Sequence, residues 1–286
     1  MGGFELGDNQ YGKAETRLVR VDRDGDTHAI TDLNVTTTLA GDLAATHLTG
    51  DNSGVLPTDT QKNTVYAFAR DGVGEIEDFA LRLVRHFVTT TAEIKQARVR
   101  IEQYTWDRIA ATGHSFARGA GTRTTTATCD GESAWVVSGV ADLVVLNTTG
   151  SEFHGFPRDR YTTLPETHDR ILATAVTANW RHASTGRDWA QAFAGARDRL
   201  LTAFADTHSR SLQQTLHAMG ERVLEGDDDL VEVRLALPNK HHFLVDLAPF
   251  GLDNPGEVFH AADRPYGLIE GTVRRSDAPD AGLAWW

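Results

Sequence analysis

Six apolar side chains, Ile76, Phe79, Ala80, Leu83, Val84 and Phe87, recur at the spacing of one helical face, and the chain on either side changes to a period of two. Upstream, the run from Glu15 to Val21, the turn signal Asp24-Gly25-Asp26 and the β-branched run from His28 to Leu39 read as a hairpin. Between hairpin and amphipathic helix, the segment from Asp59 to Arg70 reads as another helix, capped near Asp59 and separated from the next by Gly72-Val73-Gly74. Downstream, Ala97, Val99 and Ile101 alternate with polar residues, and Ala134 to Leu146 forms a further β-rich run. The order is two strands, helices, two strands.

The second half repeats it. Ile171 to Trp180 reads as a strand, Trp189 to Phe204 and Leu212 to Val223 as helical faces, and Leu230 to Leu237 and His242 to Leu247 as strands. These patterns call for an α+β fold of two tandem antiparallel-sheet-plus-helix halves, 1–145 and 146–286.

A formal net charge of −12 argues against nucleic acid as a partner, because neutralising a phosphate backbone needs a basic surface. An anionic small molecule would need a locally positive pocket. No stretch approaches the roughly 18 apolar residues of a membrane span, and the N-terminus lacks the order of a signal peptide, so no membrane partner and a cytoplasmic location are expected. The sequons at Asn34 and Asn147 carry no weight without a secretory route. The single cysteine, Cys129, rules out an internal disulfide and a cysteine metal cage within one chain.

Several short motifs fail on inspection. Gly7 to Lys13 follows a phosphate-binding loop until Ala14 replaces the required hydroxyl, and an alternating strand pattern follows instead of a helix. Gly113-His114-Ser115-Phe116-Ala117 lacks the last glycine of a nucleophile elbow, so Ser115 reads as a loop serine. Asp22-Arg23-Asp24-Gly25-Asp26 has its glycine two positions early for a calcium loop, and Leu33 stands where glutamate is needed. The twelve histidines show no metal-ligand spacing, so no protein metal site is indicated.

Four segments are denser in polar and aromatic groups than a purely structural role explains. They are Tyr11-Gly12-Lys13; Thr58-Asp59-Thr60-Gln61-Lys62-Asn63-Thr64-Val65-Tyr66; Gly155-Phe156-Pro157-Arg158-Asp159 leading through Tyr161-Thr162-Thr163-Leu164 to Asp169-Arg170-Ile171-Leu172; and Leu237-Pro238-Asn239-Lys240-His241-His242-Phe243. In this order and at this separation they resemble the urate oxidase (uricase) family over nearly the whole chain.

The resemblance implies the tunnelling fold and a homotetramer with active sites at subunit interfaces. It also implies oxidation of urate by O2 and water to 5-hydroxyisourate and hydrogen peroxide, part of purine catabolism, with no cofactor. Arg170 and Gln213 match the pair that grips one purine edge, and Phe153 matches the ring that stacks on it. Leu164 and Leu212 match slot-lining positions, with Leu212 standing where many relatives carry valine. Lys13, Thr58 and His241 match a proton relay, in which the threonine hydroxyl needs a neighbour to take its proton. Asn239 and Thr58 would hold dioxygen or the attacking water, and Asp59 would orient the other ligand edge through its backbone. The final Ala284-Trp285-Trp286 is not the peroxisomal tripeptide of eukaryotic relatives.

Two rivals have distinct requirements. A zinc-dependent, pterin-processing member of the same fold would need cysteine and histidine ligands. A non-catalytic purine-binding protein would keep Arg170, Gln213 and Phe153 without needing Lys13 or Thr58.

Overall fold

The computed structural model describes residues 3–110 and 112–286. These form two compact units, each described by itself: residues up to Gly139 with Trp180–Phe193 and Pro279–Trp286, and Val140–Asn179 with Ala194–Ala278.

The first unit opens with β1 (Tyr11–Asp24) and β2 (Thr27–Gly41), antiparallel and closed by Gly25-Asp26, where Gly25 takes a left-handed φ of 54°. The hairpin register shifts between Lys13 and Thr16, and Glu15 takes up the bulge with a φ of 56°. At Gly12 a Cβ would sit 1.8 Å from the Thr37 carbonyl oxygen, so only glycine permits this approach of β1 to β2. A short α1 (Ala44–Leu48) leads to α2 (Thr58–Asp71) and α3 (Ile76–Thr90). Then come β3 (Ile94–Arg108), β4 (Phe116–Cys129) and β5 (Ala134–Asn147), in the strand order β1-β2-β3-β4-β5.

The helical face read from the sequence is the one that packs. Ile76, Phe79, Ala80, Leu83, Val84 and Phe87 are fully buried in one cluster with Leu33, Val35, Leu39, Val99 and Ile101, which the alternation of β2 and β3 directs to the same side. Each such large side chain contributes about 1.5–3 kcal/mol on leaving water. Beside this core lies a buried polar group. Glu77, fully buried in the first turn of α3, accepts from Arg123 of β4 at 2.7 Å and from Ser138 of β5 at 2.7 Å. Glu75 also contacts Arg123, at 2.8 Å, and His182 Nε2 lies 3.0 Å from the Ser138 hydroxyl. Burial pushes the Glu77 carboxyl upward against the lowering pull of Arg123 and Ser138.

The second unit takes the chain from Val140 in β5 and contains β6 (Leu172–His182) as far as Asn179, then α4 (Trp189–Asp206) from Ala194 on. It continues with α5 (Leu212–Glu225), β7 (Leu230–Pro238), β8 (His242–Leu244), β9 (Phe259–Ala261) and β10 (Leu268–Arg274). The strand order is β5-β6-β7-β10, with β8 and β9 forming a separate antiparallel pair. Helix α5 packs on β7 and β10, and two glycines mark the approach. A Cβ at Gly271 would lie 2.9 Å from Leu216, and one at Gly220 would lie 2.6 Å from Val273.

Three elements differ from the sequence reading. β4 is a full strand in a segment to which the sequence reading assigned no element, because Gly119 and Gly121 mask the β-branched threonines that follow. The run from His242 to Leu247 is a strand only as far as Leu244, and it pairs outside the main sheet. The strand beside β7 is instead β10, whose internal Gly271 weakens its local signal and is explained by the close packing of Leu216.

Candidate active site

The sequence-assigned residues fall into two groups, one in each unit. In the first unit, Lys13 lies at the start of the β1 bulge and its amide donates to the Thr37 hydroxyl at 3.3 Å. That hydroxyl donates in turn to the buried Gln61 of α2 at 2.7 Å, tying the strand to the helix that begins at Thr58. Pro57 sits at the N-cap with φ −54°, and the loop before it is held by Tyr11 Oη donating to the Leu56 carbonyl at 3.0 Å. Thr58 and Asp59 therefore occupy the first turn of α2, where helix geometry leaves backbone N–H groups without intrahelical acceptors. The Asp59 carboxylate turns back on its own helix, accepting from Lys62 and, at 3.0 Å, from Asn63. Lys62 first, and Lys13 more weakly, hold that carboxyl below its usual range. With its side chain so occupied, Asp59 has its backbone to offer a ligand.

In the second unit the geometry is tighter. Arg170, half-buried, stands with its guanidinium carbon 5.3 Å from the Phe153 ring centroid, and its Nε donates to the buried Ser151 hydroxyl at 3.3 Å. Burial lowers the Arg170 pKa, an environment in which a bound anion is a favourable partner. Phe153 is held by paired backbone hydrogen bonds with Thr167 and stacks on Phe156, centroids 5.1 Å apart. His241 is close enough to Arg170 to feel its charge: burial first, then Arg170 and His242, press the imidazole below its ordinary pKa. Asn239 follows β7, bridged to Thr174 of β6, with its amide donating to Gly267 at 2.8 Å.

Gln213 is exposed in the first turn of α5, whose N-cap Ser211 accepts from the Gln214 amide at 3.1 Å. Leu212 is 2% exposed and packs into the unit, whereas Leu164 is 49% exposed on the loop before Arg170. Two residues to which the sequence reading gave no site role join this group. Ser151 fixes Arg170, and Phe156 backs Phe153. Phe156 lies in one of the four dense segments, but Ser151 has no sequence signal of its own, since the bridge Ser151↔Ser209 that places it is non-local.

A family model described as uricase matches residues 9–128 and 136–270. The chain belongs to the uricase family. Among curated relatives, the uricase of Arthrobacter globiformis is 55% identical over 271 residues, spanning 94% of this chain and 90% of its own length. The uricase of Dictyostelium discoideum is 38% identical and spans 94% of this chain and 97% of its own length. The crystal structure of the Arthrobacter globiformis uricase superposes with a TM-score of 0.95 at 52% identity, covering 99% of each chain. As a member of the uricase family the chain is an oxidoreductase with the α+β tunnelling fold. Uricase membership also sets it apart from the pterin-processing branch of that fold and from a purely purine-binding role.

Proposed function

We propose that this chain catalyses the oxidation of urate by O2 and water to 5-hydroxyisourate and hydrogen peroxide, as a step of purine catabolism. The observation that carries the reading is the half-buried Arg170, held over Phe153 and anchored by Ser151. That arrangement is a planar cation beside an aromatic face, matched to a flat anion rich in hydrogen-bonding edges. Arg170 and Gln213 grip one edge of the purine, and Phe153 stacks on its face. Leu164 and Leu212 bound the slot, and the first-turn amides of α2 at Thr58 and Asp59 of a neighbouring subunit meet the opposite edge.

Lys13 takes the proton of the Thr58 hydroxyl, and His241, neutral at pH 7, passes protons onward. Asn239 and the Thr58 of that neighbouring subunit hold dioxygen and then the attacking water above the ring. The urate dianion transfers two electrons to O2 in single steps. Two protons complete hydrogen peroxide, and water adds to the dehydrourate to give 5-hydroxyisourate. The ring is itself the reductant, so no flavin, haem or metal takes part. The two-half organisation, 1–145 and 146–286, is supported by the match of the family model over 9–128 and 136–270.

A homotetramer with sites between subunits follows from the same resemblance. It is supported by exposed apolar side chains at Phe243, Leu244, Phe250, Leu252, Tyr266 and Leu268. A cytoplasmic location accords with the described residues holding no helix long and apolar enough to cross a membrane.

The test is oxygen uptake with urate in chelator-treated buffer, following urate absorbance and peroxide together. Equimolar loss of urate and O2, unaffected by chelator, is expected; tight urate binding without oxygen uptake would overturn the reaction while leaving the purine site.

A further inference from the structure

Glu152, His154 and His168 each present one ligand-type atom, and these atoms lie within 4.8 Å of one another. The backbone explains how they meet. Phe153 and Thr167 exchange both main-chain hydrogen bonds, at 2.8 and 3.0 Å, which makes them a directly opposed antiparallel pair. Glu152 and His168 then face each other across that pair. His154, two residues beyond Glu152, returns to the same side. A third segment is tied on where the Glu152 amide donates to the Ser209 carbonyl at 2.8 Å and the Ser209 amide to the Gly150 carbonyl at 2.9 Å. It brings His208 Nε2 to 3.4 Å from Glu152 Oε1.

The spacing suits a small cation. A tetrahedral ion with bonds of about 2.0–2.2 Å separates its ligand atoms by roughly 3.3–3.6 Å. His154 Nε2 stands 3.2 Å from Glu152 Oε2, and the His154 and His168 rings have centroids 4.6 Å apart. Both histidines are exposed, so small side-chain rotations close the set and solvent gives access. Arg210 Nε lies 3.6 Å from Oε1, which disfavours a cation on that oxygen and leaves Oε2 as the ligand.

We propose that Glu152, His154 and His168 form a binding site for a divalent transition-metal ion of the zinc and copper(II) class, with a fourth position open to His208 or water. Two imidazoles and one carboxylate favour such ions over calcium or magnesium, which take oxygen donors. Phe153 lies between two of the ligands in the chain, so the ion's role is to pin the segment that carries this ring. Binding of the ion does not rest on the proposed urate chemistry, whereas its effect through Phe153 does.

The test is titration of the chelator-stripped full chain with Zn2+ by calorimetry, and with Cu2+ by electron paramagnetic resonance. One tight equivalent per chain is expected, with nitrogen hyperfine structure from imidazole ligands. The double variant His154→Ala/His168→Ala should lose that equivalent. Glu152→Gln and the milder His168→Gln should each weaken it at least about 10-fold. His217→Ala, at a 65% exposed histidine on α5, should leave it intact. A wild-type chain that binds neither ion more tightly than the double variant does, with both chains giving the same thermal unfolding curve in the absence of metal, overturns the proposal.

Discussion

Replacing Arg170 with lysine keeps a positive charge and removes the planar fork. In the structure the guanidinium stands 5.3 Å from the centroid of Phe153, with its Nε on Ser151 at 3.3 Å. Nε is thus committed to the protein, and the two terminal nitrogens remain to face a ligand. A lysine ammonium reaches one acceptor where the fork reaches two, so the change removes about one charge-assisted hydrogen bond, worth roughly 1.5–3 kcal/mol. At about 1.4 kcal/mol per factor of ten, kcat/KM for urate should fall about 10- to 150-fold. The long Ser151 bond and the partial stacking that are also lost are worth about 1 kcal/mol together, so Tm should drop by only a few degrees. The assay is steady-state urate oxidation at fixed pH and protein concentration, paired with thermal unfolding. A variant with kcat/KM within twofold of the parent and an unchanged Tm would show that Arg170 does not touch substrate, and the proposed site would fail with it.

Three further outcomes are expected. Lys13→Met should reduce turnover by at least about 100-fold while leaving binding of a xanthine-like inhibitor within a few-fold, as measured by rapid kinetics and inhibitor titration; undiminished turnover would remove Lys13 from the relay. Because burial, Arg170 and His242 lower the His241 pKa, the neutral imidazole persists below the ordinary value of about 6.5. The acid limb of the kcat/KM profile should accordingly have its midpoint below that value, and His241→Asn should flatten it. Glu77 has a raised folded pKa, so its folded form holds a proton that the unfolded chain has released, and its contribution to stability is greatest at low pH and declines as pH rises past the unfolded value of 4.5. Glu77→Gln should then cost about 1–3 kcal/mol at acid pH and progressively less toward neutrality, read by denaturant unfolding at matched protein concentration; a cost that grows with pH would contradict the assignment.

Legibility followed the range of the forces involved. The buried face of α3 and the alternation of Ala97, Val99 and Ile101 in β3 are local patterns set by side-chain periodicity, and they appear in the structure residue for residue. β4 and β10 were illegible because their glycines lower intrinsic strand propensity, and pairing with β3 and β7 overrides it. Arg170 and Phe153 were named through a family resemblance, but nothing in their spacing announced that one lies over the other. The same holds for Glu152, His154 and His168, whose separation in the chain matches no ligand motif and which the Phe153–Thr167 pair brings together.

What the amino-acid sequence determined by itself was the class of fold, the local strands and helices with strong periodicity, and the family. These depend on composition, periodicity and long ordered runs of residue identity, all of which are properties of the linear chain. The tertiary structure decided which side chains face one another: Ser151 holding Arg170, Asp59 engaged with its own helix, Glu77 buried against Arg123, and Glu152, His154 and His168 gathered beside the Phe153–Thr167 bridge. The physical reason is that hydrogen bonds and ion pairs act over a few ångströms, and only backbone pairing between distant segments brings those groups within reach.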